Sequence, residues 1–255
     1  MEALTAIQII FLTEILLIIL EFSYSRYKKD GVYSVNGTIG NMVSGLTLYI
    51  VLSPRTYVIF LIIFYKYYNI FHINLTYDFQ LISFIFCLIF VDLMYYIFHH
   101  VHHRSKLLWS FHLVHHSDDH VNLSTAYRTS WFEAFYINIF FIPVLLVGFH
   151  PILIFTSYYI ITLNNFICHS QYFKLPRFFD YIFMTPNNHR VHHDQELKYQ
   201  HNNYGGLFSI WDRIFGTYLA EVVGFKAGIK DYKEDNFLKY QTIPVYNYIK
   251  NIWRK

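Results

Sequence analysis

Four long apolar stretches constrain the fold of this chain more than any other feature of its sequence. They cover residues 4–24, 42–65, 79–98 and 134–167. A helix of about 20 apolar residues crosses the hydrocarbon layer of a bilayer, and backbone groups inside that layer must be hydrogen-bonded within the protein. In agreement, 55% of the residues are hydrophobic and only 15% are charged, which is too apolar for an ordinary water-soluble domain. We therefore expect an all-α integral membrane protein with about four to five transmembrane helices.

Polar interruptions within the apolar stretches set the expected number of spans. Ser53-Pro54-Arg55 interrupts the second stretch, and an arginine is costly in the middle of a membrane. This stretch therefore either crosses the membrane or is re-entrant. In the fourth stretch, Gly148-Phe149-His150-Pro151 predicts a hairpin of two helices. The third stretch is interrupted only by Asp92, near its far end.

Basic residues after the first stretch predict the orientation of the chain. Arg26, Lys28 and Lys29 follow it, and by the positive-inside bias they lie in the cytoplasm. We do not expect a signal peptide, because no basic residue precedes the stretch and no small-residue cleavage site follows it. If the second and third stretches each cross once, all histidine clusters face the cytoplasm. A bacterial inner membrane and an endoplasmic reticulum membrane fit equally well.

Charge, cysteine content and motif content exclude several other classes of protein. The formal net charge is only +3 and no basic stripe stands out, so nucleic acid is not an expected partner. Cys87 and Cys168 lie in or beside apolar stretches and form neither a Cys-x-x-Cys pair nor a disulfide framework. A dinucleotide-binding Gly-x-Gly-x-x-Gly is absent. We expect a single domain covering residues 1–255.

Three sets of histidines share a helical spacing. The sets are HHVHH at 99–103, HLVHH at 112–116 and HRVHH at 189–193. Residues three and four apart share one face of a helix, so each set presents several imidazoles in one direction. In the first set, spacing alone permits His99 with His103, His99 with His102, or His100 with His103.

This density of imidazoles indicates a site for two metal ions. Neutral imidazole binds iron, zinc, copper and nickel. One ion takes about four to six ligands, so eight or nine histidines suggest two ions side by side. Anchoring at the membrane interface would explain one or two histidines, but not separate sets with matching spacing. Four histidines lie outside this spacing and are predicted to be surface or loop residues: His72, His120, His150 and His201.

The spacing also predicts local structure around the sets. His103 and His112 are nine residues apart, about 180° around a straight helix, so we expect a bend at Arg104-Ser105-Lys106 that lets both face one site. Thr185-Pro186 predicts a helix start that places His189 in the opening turns. Asp92 lies on the same helical stripe as His99, and we expect it to accept a ring N–H from a histidine.

Four motifs make the chain resemble a known family. They are DLMYYIFHHVHH, LWSFHLVHHSDDHVNLSTAYRTSWFE, TPNNHRVHH and NNYGGLFSIWDRIFGTYLAE. With them the chain resembles the sterol desaturase and fatty acid hydroxylase superfamily of membrane di-iron oxygenases, and within it the alkylglycerol monooxygenase branch. The resemblance extends over residues 33–221, with core motifs at 92–217. It implies a helical cap on the cytoplasmic side that carries a histidine-rich dimetal site.

The resemblance implies a ligand set for that site. It selects His99 and His103 from the first set, and it adds His169, which spacing alone would class as structural. The implied ligands are His99, His103, His112, His115, His116, His169, His189, His192 and His193. Supporting positions that match the family are Asp92, Asn122, Arg128, Tyr204, Trp211 and Asp212; packing at the membrane interface explains Trp211 equally well. The chain departs from the family at Asn188 and His100, where relatives often carry histidine and arginine.

The resemblance further implies that two ferrous ions use dioxygen to hydroxylate or desaturate a C–H bond of a lipid such as a sterol, a fatty acyl chain or an ether lipid. The expected partners are the lipid substrate, the bilayer and an electron donor, either tetrahydrobiopterin or a cytochrome or ferredoxin chain. One alternative is a metal-handling membrane protein, which would carry ligands near the bilayer midplane. Another is a zinc-dependent lipid hydrolase, which needs a general base; Glu133 and Glu196 are the nearest acids.

Overall fold

The computed structural model describes residues 2–52, 62, 66, 80–220, 224–230, 232–234 and 236–253. The regular structure in this part of the chain is helical, with only isolated β-bridges. The α-helices are α1 (Glu2–Lys28), α2 (Val35–Leu46), α3 (Gln80–Arg104), α4 (Lys106–His116), α5 (Ile142–Val147), α6 (Pro151–Cys168), α7 (Pro186–His192), α8 (Leu197–Gln200), α9 (Ile210–Ile214) and α10 (Phe237–Trp253). A π-helical turn covers Thr47–Leu52, and 3-10 turns cover Leu123–Tyr127, Trp131–Phe135, Ile137–Phe141 and Arg177–Tyr181.

Three of the described helices are long and apolar enough to cross a membrane. The candidate spans are Gln8–Lys28 in α1, Leu81–Arg104 in α3 and Pro151–Cys168 in α6. Large apolar side chains such as Leu12, Leu81 and Ile152 are exposed on them, as expected of surfaces that face lipid. The expected all-α membrane fold is confirmed. The total number of spans stays a prediction, because Ser53-Pro54-Arg55 and most of the second apolar stretch lie outside the described residues.

The predicted hairpin in the fourth stretch has the expected break but an unexpected first arm. Gly148 adopts the left-handed conformation (φ 97°) after α5, and the His150 side chain caps the start of α6 by accepting from the Ile152 amide. The first arm is not one helix: two 3-10 turns lead into the six-residue α5. The expectation of two helices is therefore wrong for this arm. Pro143 lies in the first turn of α5, and a proline inside a longer helix would remove a backbone hydrogen bond.

Two apolar cores hold the helices together. One lies between α3 and α6, and the other joins α1 to the segment after α4. Cys87, Val91 and Ile161 belong to the core between α3 and α6. In α1, the two acids that interrupt the apolar stretch are hydrogen-bonded. Tyr127 donates its hydroxyl to Glu14 (2.6 Å), and Glu21 accepts from the Leu123 amide (3.0 Å) and the Tyr33 hydroxyl. Each carboxylate therefore has the partner that burial requires.

The bend predicted between the first two histidine sets is confirmed. Ser105 is extended (φ −92°, ψ 121°) between α3 and α4, and its hydroxyl accepts from the Leu108 amide, so it caps α4. Without this break, α4 would continue in the direction of α3. With it, the ring of His112 lies 4.9 Å from that of His99.

Candidate metal centre

Nine histidines lie together in two adjacent groups. Within each group, one nitrogen of every ring lies within 4.8 Å of the others. The first group contains His99, His103, His112, His116 and His192; the second contains His115, His169, His189 and His193. The groups touch through the stacked rings of His116 and His193, whose centroids are 4.6 Å apart. The structure thus brings together all nine histidines that the family resemblance singled out.

Four helices place these side chains, and two of the helices serve both groups. The end of α3 carries His99 and His103, and His169 caps the end of α6. In α4 and α7, adjacent histidines point into different groups, because successive residues on a helix differ in direction by about 100°. This explains why the two His-x-x-His-His sets each contribute to both groups.

The second group contains two ring nitrogens whose lone pairs face each other. His115 donates Nδ1–H to the carbonyl of Arg128 (3.1 Å), and His169 donates Nδ1–H to the carbonyl of Asn165 (2.6 Å). A neutral imidazole carries a single N–H, so both Nε2 atoms present lone pairs. These two Nε2 atoms nevertheless lie 3.2 Å apart. Such an approach is repulsive unless a proton or a metal ion lies between the rings, and burial disfavours the proton because it lowers the pKa of both histidines.

The other distances in the second group agree with ligands around one ion. The Nε2 atom of His189 lies 3.1 Å from Nε2 of His169 and 3.1 Å from Nε2 of His193. One N–H cannot point at both neighbours. Two nitrogens that bind one ion at about 2.1 Å lie about 3.0 Å apart at a right angle and about 3.4 Å apart at the tetrahedral angle. The observed separations fit this geometry.

In the first group, hydrogen bonds on one side of the rings leave the other nitrogens for a metal. His99 donates Nδ1–H to the carbonyl of Tyr204 (2.9 Å), and His192 donates Nδ1–H to that of Asn202 (2.7 Å). The Nε2 atoms of both rings are buried without a hydrogen-bond partner among the described residues. The same holds for both ring nitrogens of His103. Buried polar atoms are normally paired, so these nitrogens fit a metal ion.

Burial keeps the histidines outside the spans in the form that binds metal. It lowers the pKa of His192 to about 3, and it lowers the pKa of His116 and His193 well below the usual value of imidazole, with the neighbouring imidazoles adding to the effect. Burial likewise lowers the pKa of His112, His115, His169 and His189. The lowered pKa means that the rings are neutral at physiological pH, and neutral imidazole is the ligand form.

The structure separates the histidines of the first set by their surroundings, and only His99 and His103 lie in the two groups. His102 is buried but occupied on both sides: Nδ1 donates to the carbonyl of Phe98 (2.6 Å), and Nε2 lies 2.7 Å from the Tyr136 hydroxyl. His100 stacks on Tyr96 (centroids 5.9 Å apart) and is half-buried. Neither belongs to the two groups.

Three histidines outside the spacing occupy loops or helix ends, as predicted. His120 bonds the carbonyl of Gly31 (2.9 Å). His150 caps α6, and His201 follows α8, half-buried, with its ring centroid 6.0 Å from that of His103. His72 lies outside the described residues.

The expected role of Asp92 is wrong. Its carboxylate accepts from the amides of Leu207 (2.6 Å) and Phe208 (3.1 Å) and from the indole N–H of Trp211 (2.9 Å). Asp92 lies seven residues before His99, about 10 Å along the helix, so it is too far below that ring. The indole N–H of Trp211 is taken up by its hydrogen bond to Asp92.

Asp92 and Asp212 act on the site through the backbone segment 204–208. Asp212 accepts from the amides of Tyr204 (2.8 Å) and Gly205 (2.9 Å), and from the hydroxyl of Thr217 (2.7 Å). The two carboxylates thereby fix the carbonyl of Tyr204 that orients His99.

Arg128 and Asn122 also support the site from outside the cluster. The buried guanidinium of Arg128 bonds the carbonyl of Val114 (3.1 Å) and stacks on the ring of Tyr240 (3.9 Å). Its own carbonyl accepts from His115. Asn122 caps the 3-10 turn that leads to Arg128. These residues hold the backbone that orients one histidine.

Glu133 and four backbone carbonyls are the partners that sequence reasoning missed. Glu133 is buried, and its Oε1 lies 3.4 Å from Nδ1 of His112; burial raises the pKa of this carboxyl. The sequence offers Glu133 as a possible general base, and its 3-10 turn (Trp131–Phe135) is what brings it to His112. The other partners are the backbone carbonyls of Arg128, Asn165, Asn202 and Tyr204. Because every residue has a backbone carbonyl, the sequence carries no signal for these four.

Known proteins are similar to the chain across the segment that carries both groups. The fatty acid hydroxylase family model matches residues 84–217. Alkylglycerol monooxygenase of Caenorhabditis elegans is 37% identical over 145 residues, which cover 54% of this chain and 27% of the relative. Cholesterol 25-hydroxylase of Homo sapiens is 30% identical over 146 residues, 52% of this chain and 50% of the relative. The matched segment thus spans half or less of these relatives, and no solved structure is significantly similar to the chain.

The family match and the geometry of the site concern the same residues. The matched residues 84–217 make up more than half of the 255 residues and include all nine clustered histidines. The supporting carboxylates Asp92, Glu133 and Asp212 also lie inside the match. The chain belongs to the fatty acid hydroxylase family.

Proposed function

We propose that the chain is a membrane oxygenase in which the nine histidines hold two iron ions and which uses dioxygen to oxidise a C–H bond of a lipid. The observation that carries this proposal is the pair of facing Nε2 lone pairs of His115 and His169, 3.2 Å apart, within a division of nine imidazoles into five and four. Imidazole alone would suit iron, zinc or copper. Membership of a family of lipid hydroxylases favours iron.

Two bound iron ions would activate dioxygen and supply the oxidant for the C–H bond. The contribution of the chain is to fix the imidazoles. Carbonyls of Tyr204, Asn202, Arg128 and Asn165 each hold one Nδ1–H. This selects the tautomer whose Nε2 faces the ion and makes the ring a better ligand. Glu133 does the same for His112.

The position of the site favours a substrate that arrives from the bilayer. His99 lies in the last turns of α3, and the turns before it carry the buried apolar residues Val91 and Met94. His169 ends α6, which contributes Ile154 and Ile161 to the same core. An apolar tail in the bilayer would therefore lie beside the two spanning helices whose ends carry the site. The similarity to alkylglycerol monooxygenase favours hydroxylation over desaturation, with an ether lipid as the first substrate to test.

Hydroxylation of a C–H bond by one dioxygen also forms one water and consumes two electrons and two protons. The sequence carries no dinucleotide-binding motif, so an external donor supplies the electrons. Tetrahydrobiopterin and a cytochrome or ferredoxin chain are the two candidates. Attack on the carbon beside an ether oxygen would give a hemiacetal, which breaks down to an aldehyde and glycerol derivative.

Two rival functions fit the geometry less well. A zinc hydrolase needs a general base beside the metal-bound water, but Glu133 bonds Nδ1 of His112, on the side of the ring away from the cluster, and Glu196 is exposed. A metal transporter is expected to hold its ions near the middle of its spans. Here the histidines of α3 and α6 lie at the ends of those helices.

The proposal is tested with the purified full chain, an ether lipid, each candidate donor and ¹⁸O₂. We expect a hydroxylated lipid with labelled oxygen, or the aldehyde formed from it only when dioxygen is present, in the parent protein and in the matched control His120→Ala. His193→Ala should give none. A product that forms without dioxygen, or a hydroxylated lipid whose hydroxyl oxygen comes from water, would refute the oxygenase.

A further inference from the structure

Six large apolar side chains are exposed on two short segments outside the long helices. The segments are the 3-10 turn Arg177–Tyr181 with the residue after it, and helix α9 with the residue after it. The side chains are between 42% and 66% exposed and form what we call the α9 patch: Phe178, Tyr181, Ile182, Ile210, Ile214 and Phe215. In water, an apolar surface of this extent is unusual and marks an interaction site.

Hydrogen bonds make these two segments one surface. The amide of Ser209 donates to the carbonyl of Ile182 (2.9 Å), and Nε of Arg213 donates to the carbonyl of Tyr181 (3.2 Å). The Ser209 hydroxyl also donates to the carbonyl of Asp180 (2.8 Å). The patch therefore has a fixed shape.

Contacts to α3 set the depth of the patch. The Trp211 indole bonds Asp92, and the Phe215 ring stacks on Tyr96 with centroids 5.2 Å apart. Both partners lie within the candidate span Leu81–Arg104. Asp92 is eleven residues from Leu81 and seven from His99, about 16 Å and about 10 Å along a helix. In a hydrocarbon layer about 30 Å thick that begins near Leu81, Asp92 lies well inside the layer.

The backbone beside the patch is hydrogen-bonded as this depth requires. Irregular backbone is tolerated inside a membrane only where the protein satisfies its polar groups. The amides of Leu207 and Phe208 both donate to Asp92, and the carbonyl of Leu207 accepts from the Met184 amide (2.8 Å). These three backbone groups, just before α9, thus meet the requirement.

The guanidinium of Arg213, the one basic residue of α9, has hydrogen-bond partners within the protein although the side chain is exposed. The guanidinium of Arg213 donates to the carbonyls of Asp180 and Tyr181 (3.2 Å each) and lies 3.6 Å from the ring centroid of Tyr218. A long basic side chain can bury its stem in an apolar layer while its head reaches polar partners. Arg213 is therefore compatible with a membrane position for α9.

We infer that the α9 patch is inserted into the bilayer and contacts the acyl chains of its lipids. The occupant follows from depth: the contacts of Trp211 and Phe215 with the spanning helix α3 place the patch at the level of the acyl chains. A five-residue helix is too short to be recognised as a membrane segment by its apolar length. The inference requires that α3 crosses the membrane, and it does not depend on the proposed oxygenase chemistry.

Depth-dependent quenching of a probe on α9 tests the inference. Ile214→Cys in the full chain is labelled with a thiol-reactive fluorophore and reconstituted into phosphatidylcholine vesicles. The probe is exposed in turn to phosphatidylcholine brominated on its acyl chains and to aqueous iodide. Leu12→Cys, on the exposed face of α1, serves as the membrane control, and Lys198→Cys, on exposed α8, as the aqueous control. Cys87 and Cys168 are buried, so the parent protein gives the labelling background.

We expect the probe at Ile214 to behave like the probe at Leu12. Brominated lipid should quench it several-fold more than it quenches the probe at Lys198, and iodide should have little effect on it. Quenching by iodide to the extent seen at Lys198 would overturn the inference. Protection from both quenchers would overturn it too, since it would show that protein covers the patch. If Ile214→Cys does not fold, Ile210→Cys on the same helix provides the same comparison.

Discussion

His99 and Tyr204 are joined by a hydrogen bond of 2.9 Å from the ring Nδ1 to the backbone carbonyl, across 105 positions of sequence. Through it, the segment that follows α8 sets the direction in which a histidine of α3 faces. Asp212 fixes this segment by accepting from the amides of Tyr204 and Gly205. The site therefore depends on residues that do not touch it.

Asp212→Asn tests this dependence. The amide group of asparagine would place a donor against at least one backbone N–H, leaving a buried polar group unpaired. We expect a loss of about 1–3 kcal/mol in the free energy of unfolding and weaker iron binding by the first histidine group only. Denaturation in detergent and iron analysis measure the two effects. Unchanged stability and full iron content would show that Asp212 does not hold the segment.

Gly206→Ala tests the close packing of the same segment. A Cβ atom at this position would lie 2.5 Å from Cγ2 of Ile161 and 2.7 Å from Cδ1 of Tyr95. Overpacking of this kind costs about 1–3 kcal/mol, so we expect a lower thermal midpoint. Gly37→Ala is the comparison, because its nearest neighbour is the hydroxyl of Ser34, which can rotate away at the cost of the cap it makes to the Gly37 amide, so a smaller decrease is expected. Equal midpoints for the two variants would contradict the packing described.

Replacement of Glu133 separates its hydrogen bond from its charge. Glu133→Leu removes the acceptor that faces Nδ1 of His112, and loss of such a partner typically weakens metal binding about 10- to 100-fold. Glu133→Gln keeps an acceptor oxygen and should weaken binding less. Competition with a chelator measures the affinity, with the exposed Glu196→Gln as control. Equal affinity in Glu133→Leu and the parent would exclude this role.

His102 and His103 are neighbours with different predicted roles. His103 belongs to the first group, whereas both ring nitrogens of His102 are occupied by Phe98 and Tyr136. We expect His103→Ala to lose iron, and His102→Ala to keep it while losing about 1–3 kcal/mol of stability from its unmade hydrogen bonds. Iron loss of equal size in both variants would contradict the division.

Features that depend on chain-local patterns could be predicted from the sequence. The bend at Ser105 follows from the helical phase between His103 and His112, and the break at Gly148 follows from the glycine and proline of Gly148-Phe149-His150-Pro151. The helix start at Pro186 is where Thr185 predicts it, although the Thr185 hydroxyl bonds Asp180 (2.5 Å) and does not cap the helix. His169 could be placed in the ligand set only by family resemblance.

Features that depend on contacts between distant segments could not be predicted. Asp92 has the helical phase of a partner for His99, but the amides of Leu207 and Phe208 reach its carboxylate, and a carbonyl reaches the histidine. Backbone carbonyls are uniform along a chain, so no pattern marks those that orient histidines. The position of α9 beside α3 likewise results from tertiary contacts of Trp211 and Phe215.

Iron analysis of the full chain, purified in detergent under anaerobic conditions, tests the central claim most directly. The comparison uses the parent, a first-group variant (His99→Ala, His192→Ala), a second-group variant (His169→Ala, His189→Ala) and the control His120→Ala. Two irons per chain in the parent and the control, and about one in each double variant, are the predicted result, because each variant removes ligands from one group only. A parent that binds no iron after reconstitution, or one that binds a single iron lost equally in both variants, would contradict the paired site.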